Sequence, residues 1–445
     1  MLPIKPFYYF SKLFGLCPYA LDGVTKSQPG KTRFSQIGHL LPTFTVLLFY
    51  NFSMASIMWR SGNASNISNA ANWIQLVPNS FAYLSGLIYA FRNRKIASDI
   101  LATFALCDEK LCNKFGICFV EPNQKVRRAS VVACLATVIC GGALSGLNFM
   151  IGVDWFEFWT LFYWIVFCMP KVAQLLFSFQ FAGSIILLSN RTMLLLKGMN
   201  NYLDEIDQQR QWNSLALINF SNQDPVSYRK ATPATTRASN IKVRPLYPPS
   251  DATENFRQVA EYLQQLATKI NDCFGKQAIF SLLSAFICIT VQLYYLLNQI
   301  RAGFSQPGAV IHGMAAGSML LLHGVELWVL LTSGEQARNK WRKLINFLIL
   351  TKATSNDDSF RGKIDDLVSF MTCNPPEFHA YGFFPIDFSI LTGMTAAITT
   401  YLIVLIQFKI AEEESGKPRT ETDRVGSSSQ FAPYQGFLKP ISQKQ

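Results

Sequence analysis

The sequence predicts an all-α, polytopic membrane protein with seven transmembrane helices, and three observations predict it. Half of the 445 residues are apolar and only 15% are charged, with Phe alone supplying 36; water-soluble domains are rarely built this way. The apolar residues gather in runs of about twenty, long enough as helices to cross a hydrocarbon core of roughly 30 Å. Lys and Arg concentrate in alternate connecting segments, as they do in loops retained in the cytoplasm.

Taken in order, residues 1–36 carry Lys5, Lys12, Lys26, Lys31 and Arg33, which interrupt any signal-peptide h-region and keep this segment in the cytoplasm. Spans one to four are expected at Ile37 to Met58, Trp73 to Phe91, Val131 to Ile151 and Phe156 to Leu188. Spans five and six are expected at Ala278 to Ile300 and Ile311 to Thr332, completing a region from 37 to 332 with its cytoplasmic loops. Pro78 and Pro170 fall inside spans two and four, where each removes a backbone hydrogen bond and favours a bend beside a pocket. Between spans four and five, 222–253 is rich in Pro, Ser, Thr and Asn and reads as a disordered insert. Arg257 to Phe274 then reads as an amphipathic helix, with Val259, Leu263, Leu266, Ile270 and Phe274 at helical spacing. Residues 333–384 read as cytoplasmic anchor helices, with Arg338 to Leu350 and Ile364 to Met371 the amphipathic parts. Span seven runs from Pro385 to Phe408, and 409–445 reads as a disordered tail.

Charge sets the orientation. Roughly thirty of the forty basic residues lie before span one and between spans two and three, four and five, and six and seven. The opposite loops hold only Arg60 and Arg301 as basic residues, so the N-terminus is expected in the cytoplasm and the C-terminus outside, the reverse of a G-protein-coupled receptor. Two glycosylation sequons, at Asn63 and Asn66, fall in the first outer loop on this topology. The net charge of +12 is spread over four cytoplasmic segments and not gathered on one motif, which fits membrane topology and not nucleic-acid binding.

Enzyme classes find no support. The sequence has no Walker loop, dinucleotide fingerprint, zinc-protease motif or nucleophile elbow. Cys107, Cys112 and Cys118 lack metal-site spacing, and neither a metal nor another cofactor is expected. A transporter would show internal repeats or paired broken helices, whereas a break appears in span seven only.

Span seven ends Thr400-Tyr401-Leu402-Ile403-Val404-Leu405-Ile406-Gln407-Phe408: Thr-Tyr, five apolar residues, then Gln-Phe. That segment resembles the final-helix signature of insect gustatory receptors, and the stretch from Phe7 to Tyr19, ending Leu16-Cys17-Pro18, resembles the one many members carry before their first span. The resemblance leaves sugar, bitter compound and amino acid all open as the tastant, with the N-terminal stretch leaning toward the sugar-sensing and internal nutrient-sensing branches. Between the two ends the likeness is one of helix count, loop length and orientation. An odorant receptor shares the plan but lacks the final-helix signature.

The resemblance implies the insect chemoreceptor channel fold: a homotetramer, or a heteromer with other gustatory receptors, in a sensory-neuron plasma membrane, with four copies of the last helix around one cation pore. It implies that Ile364 to Phe384 is the cytoplasmic half of a broken seventh helix; Asn374-Pro375-Pro376 and Gly382, which cannot continue a helix, agree independently. Fourfold symmetry would stack a ring of Gln407 amides beside a ring of Phe408 faces, with Tyr401 and Val404 on the same segment and Phe408 or Val404 as gate. On residue chemistry alone, Gln407 could instead satisfy an interhelical hydrogen bond while Phe408 packs in lipid.

For the tastant, the family places a pocket in the outer halves of spans two to six. Trp155, Trp159 and Tyr163 recur every four residues and form one aromatic stripe suited to sugar faces and flat rings, or to the lipid head-group level. Asn79 and Tyr83 in span two, Gln292 and Tyr295 in span five, and His312 at the start of span six are the polar candidates, because polar groups at lipid depth face a cavity or a partner. His323 and Glu326, one turn apart, are expected to pair with each other. Lys171 is expected to snorkel inward or to line a cytoplasmic vestibule.

Overall fold

The computed structural model describes residues 66–117, 158–221, 249–301, 309–355 and 357–415, with scattered positions among 8–16, 45–52 and 124–139. Its principal elements are α1 (Asn66–Arg92), α2 (Arg94–Phe115), α3 (Phe158–Ser221), α4 (Pro249–Arg301), α5 (Ala309–Thr354), α6 (Asp358–Cys373), the short strands β1 (His379–Ala380) and β2 (Phe384–Pro385), and α7 (Ser389–Ser415). The predicted spans two, four, five, six and seven fall on α1, α3, α4, α5 and α7. Spans one and three lie largely outside the described residues, where only Thr45 to Phe52 and Val131 to Ile139 include helical positions.

The lengths differ most from expectation. Among the described residues four helices are long and apolar enough to cross a membrane, and three of them, α3, α4 and α5, run far past the lipid core. Their 64, 53 and 46 residues make rods of about 70–95 Å. The amphipathic segment predicted at Arg257 to Phe274 and span five form one helix, because between Phe274 and Ala278 only Gly275 is a poor helix former, and a single glycine does not end a helix. Pro249 to Thr253, expected inside a disordered insert, begin α4, since a proline is tolerated in a first turn; 222–248 lie outside the described residues. Span six and Arg338 to Leu350 fuse in the same way. Both Pro78 and Pro170 sit inside unbroken helices.

Burial follows two different rules along these rods. In the lipid-level part, apolar side chains such as Phe81, Ile88, Leu321 and Trp328 point outward, while Asn79, Lys171, His323 and Glu326 are buried. Such an arrangement is stable only where lipid replaces water as the solvent. In the anchor part the pattern is that of a soluble core: Val259, Leu263, Leu266 and Ile270 of α4 are fully buried with Leu195 and Met199 of α3, Trp341 and Leu348 of α5, and Ile364 and Met371 of α6. Trp341 Nε1–H donates to Met371 O at 3.0 Å, satisfying the indole. Arg191 of α3 forks onto Asp108 of α2 at 2.9 and 2.8 Å. From the N-terminal stretch, Phe14 and Leu16 pack against Tyr83 and Leu87 of α1 and Val172 of α3.

The chain turns between anchor and last helix as the Pro and Gly signals require. Asp357 caps α6 by accepting from Ser359 and Phe360 N–H groups, and the helix stops before Pro375-Pro376. A two-residue antiparallel hairpin follows, pairing His379 with Pro385 and Ala380 with Phe384. Its turn residues Tyr381 and Gly382 have φ of 48° and 80°, the left-handed pair a tight hairpin demands. The linker then crosses α5 at Gly334, where any Cβ would overlap the Ile386 carbonyl. Asp387 accepts from Ser389 N–H at 2.9 Å and pairs with Arg338 at 2.7 Å, starting α7 at Ser389 and not at Pro385, which is held in β2. The last helix continues beyond Phe408 to Ser415, so the tail begins as helix; 416–445 lie outside the described residues.

Candidate functional site

Polar side chains from four helices meet at the centre of the lipid-level bundle. Lys171 of α3 donates from Nζ to Asn79 Oδ1 of α1 at 2.8 Å, and the same nitrogen lies 2.8 Å from His323 Nε2 of α5. His323 Nδ1 in turn lies 3.2 Å from Glu326 Oε2, and Ser178 Oγ donates to Glu326 Oε1 at 2.7 Å. From α4, Ser284 Oγ donates to Asn79 Oδ1 at 2.6 Å and Cys288 Sγ approaches it at 3.4 Å.

With Lys171 as an ammonium and Glu326 as a carboxylate, the contacts fit one His323 tautomer. An ammonium has no acceptor, so His323 Nε2 must accept from Lys171, which leaves the proton on Nδ1 to donate to the Glu326 carboxylate. The result is a positive and a negative group bridged by a neutral imidazole, all buried. Removing any one member would leave a partner desolvated and unmatched, which makes the cluster more a determinant of a single arrangement than a source of net stability.

Lys171 therefore does not snorkel. Acceptors on α1 and α5 hold it inside the bundle, a correction that needs neighbouring helices to be placed before it can be made. His323 and Glu326 do face each other, and Lys171 joins them. Of the candidate pocket residues, Asn79 is central to the cluster; Tyr83 is buried one turn further along α1 against Leu87 and Val172; and Gln292 is buried one turn from Cys288 on the same face of α4. Tyr295 is half-buried beside Tyr294. Trp159 and Tyr163 belong to the first turns of α3 and His312 to that of α5, but their side chains, like all of Trp155, lie outside the described residues. Asn66 opens α1, and Asn63 is outside the described residues. Ser178, Ser284 and Cys288 could not be singled out beforehand, since Ser and Cys are common in membrane helices.

The second feature is α7. Its apolar stretch is as hydrophobic as that of α4, yet none of the stretch is buried against half in α4. Tyr401 and Phe408 are 57% and 61% exposed, and Val404 and Gln407 are exposed as well. Only its first turns pack inward, through Ile390, Leu391 and Met394. Higher up, its contact is with α4, where Phe286 meets Tyr401 edge-on at 6.0 Å. Phe286 sits between Ser284 and Cys288, so α4 presents one side to the buried cluster and the other to α7.

A family described as the 7tm chemosensory receptor matches residues 4–412. Among curated Drosophila melanogaster proteins, putative gustatory receptor 2a is 22% identical over 397 residues, covering 84% of this chain and 86% of its own length. Gustatory and pheromone receptor 32a is 30% identical over 205 residues, 44% and 43% of the two chains, and the gustatory receptor for bitter taste 66a is 19% identical over 480 residues, 92% and 89%. The insect olfactory receptor OR5 from Machilis hrabei, solved in complex with eugenol, superposes with a TM-score of 0.54 at 12% identity, over 91% of this chain and 97% of that one. At that identity the likeness is one of fold.

Proposed function

Because the chain belongs to the 7tm chemosensory receptor family, a family of receptors and not of enzymes, we propose that it is a gustatory receptor acting as a ligand-gated, non-selective cation channel opened by a small organic tastant. It works in the plasma membrane of a sensory neuron, in the dendrite, as a homotetramer or with other gustatory receptors, with its N-terminus in the cytoplasm.

The observation that carries this is α7, a membrane-length helix left bare on nearly every side and carrying Gln407-Phe408 in its second half. Four such helices around a common axis cover one another and enclose a path. Phe408 and Val404 supply apolar rings that shut it by dewetting, and Gln407 amides replace part of a cation's water shell when it opens. The bundle of α1, α3, α4 and α5 supplies the ligand pocket, with Asn79, Tyr83, Gln292 and Tyr295 on its inner walls, and the sequence adds Trp155, Trp159, Tyr163 and His312 as further candidates. Relatives named for bitter taste and for pheromone reception support a bitter compound over a sugar.

Purified full-length protein in a planar bilayer, challenged with a tastant panel, tests this. Cysteines at Val404, Gln407 and Phe408 should react with water-soluble thiol reagents and block the evoked current. Silence to every tastant, together with unreactive cysteines, would overturn the proposal.

A further inference from the structure

Within one subunit, α4 is the bundle helix on which α7 principally rests. What fixes α4 therefore bears on where the pore helix stands. Two polar locks do so on its inner side. Gln277 Nε2 donates to Ala82 O at 2.7 Å while its Oε1 accepts from Ser85 Oγ at 2.7 Å, and about two and three turns further on Ser284 and Cys288 hold Asn79. The first lock uses α1 and α4 alone. The second is different, because its acceptor, Asn79 Oδ1, is shared with the Lys171 ammonium, and Lys171 is itself held by His323 of α5. All four helices thus converge on one charged nitrogen.

A buried ammonium whose partners sit on different helices penalises any relative shift of those helices, since each lost contact leaves a charge or an amide desolvated in a low-dielectric region. Apolar packing alone is far less particular about such a shift. Phe286, on the outer side of α4 between Ser284 and Cys288, carries the position of α4 to Tyr401 of α7.

We propose that Lys171 is a positioning residue for gating: by holding Asn79 and His323 it fixes α4, and through the Phe286–Tyr401 contact it holds the last helix in its resting place. The proposal rests on the channel role of α7 for its electrical consequence, but not for its structural one. It also locates where ligand binding acts, since Gln292 lies one turn from Cys288 on the face of α4 that the clamp grips.

The test places the photo-crosslinker p-benzoylphenylalanine at Phe286 in the full-length protein and measures its capture of the α7 peptide containing Tyr401. Lys171→Met, of similar length but without charge, should lower capture, and so should Ser284→Ala, which removes one small donor and is the milder variant should Lys171→Met not fold. Lys197→Met, on an exposed position of the same helix, should leave capture unchanged. In bilayers, ligand-independent current relative to the evoked maximum should rise about fivefold per hydrogen bond lost. Capture equal in all four proteins overturns the proposal, as does a fall in Lys197→Met matching that in Lys171→Met. If the wild-type protein passes no current, the channel role falls while the capture measurement still decides the role of Lys171.

Discussion

Replacing Asp108 by Ala should weaken the anchor far more than removing a carboxylate from any exposed ion pair in it. Arg191 is held by both Asp108 oxygens and its side chain is 3% exposed, against 26% for Asp108. With Asp108 gone, the guanidinium stays in the core beside Phe104 and loses both carboxylate contacts. Breaking a fully buried pair costs about 3–5 kcal/mol; partial exposure of Asp108 puts this one near the lower end. The comparison is Lys352–Asp365, a shorter contact of 2.6 Å whose side chains are 35% and 61% exposed. Water and salt screen that pair, and Asp365→Ala should cost less than about 1 kcal/mol. Thermal midpoints of detergent-solubilised protein, followed by size-exclusion fluorescence, should fall by about 3–6 °C for Asp108→Ala and hardly move for Asp365→Ala. The double variant Asp108→Leu/Arg191→Met should recover most of the loss, because apolar packing replaces both buried charges. Equal shifts for the two carboxylate variants, or no recovery in the double variant, would refute burial as the deciding factor.

Gly334→Ala should displace the linker entering α7, at about 1–3 kcal/mol, visible as faster proteolysis between Pro376 and Ser389; Gly183→Ala, which meets open space, should be neutral. At Asp387 burial would raise the carboxyl pKa, but the Ser389 hydroxyl, the Arg338 guanidinium and the Ser389 N–H outweigh it and hold it below the ordinary value of 3.8. A depressed carboxyl stabilises the fold above its ordinary pKa and loses that contribution as pH falls through the lowered one. The stability gap between wild type and Asp387→Asn should thus be full at pH 5–7 and close only in stronger acid, read from unfolding midpoints across pH. Cys107, whose thiol burial pushes up to about 12 with a smaller push from Asp108, should resist maleimide at pH 8 while exposed Cys112 and Cys373 label, as peptide mapping would show.

Much of the fold was legible because lipid imposes local rules. Runs of apolar residues mark α3, α4, α5 and α7 without knowledge of their neighbours, and the spacing of Val259, Leu263, Leu266 and Ile270 foretells the buried face of α4. The break after Asn374 announces itself through Pro375 and Pro376. What could not be read is whatever depends on a second helix. The fusion of amphipathic segments with spans follows from an absence of breakers, which weighs less than a visible signal. The fate of Lys171 depended on Asn79 and His323, 92 and 152 residues away in sequence. Nor did the hairpin at His379–Pro385 leave a pattern, since two residues per strand are too few for alternation.

The unbroken course of α3 from the lipid into the anchor has a mechanical consequence. A stiff element about 96 Å long works as a lever, so a tilt of about 2° around its middle moves each tip by less than 2 Å, but in opposite directions. Motions that start among the aromatic side chains at one end are thereby felt, reversed, among the packed side chains at the other.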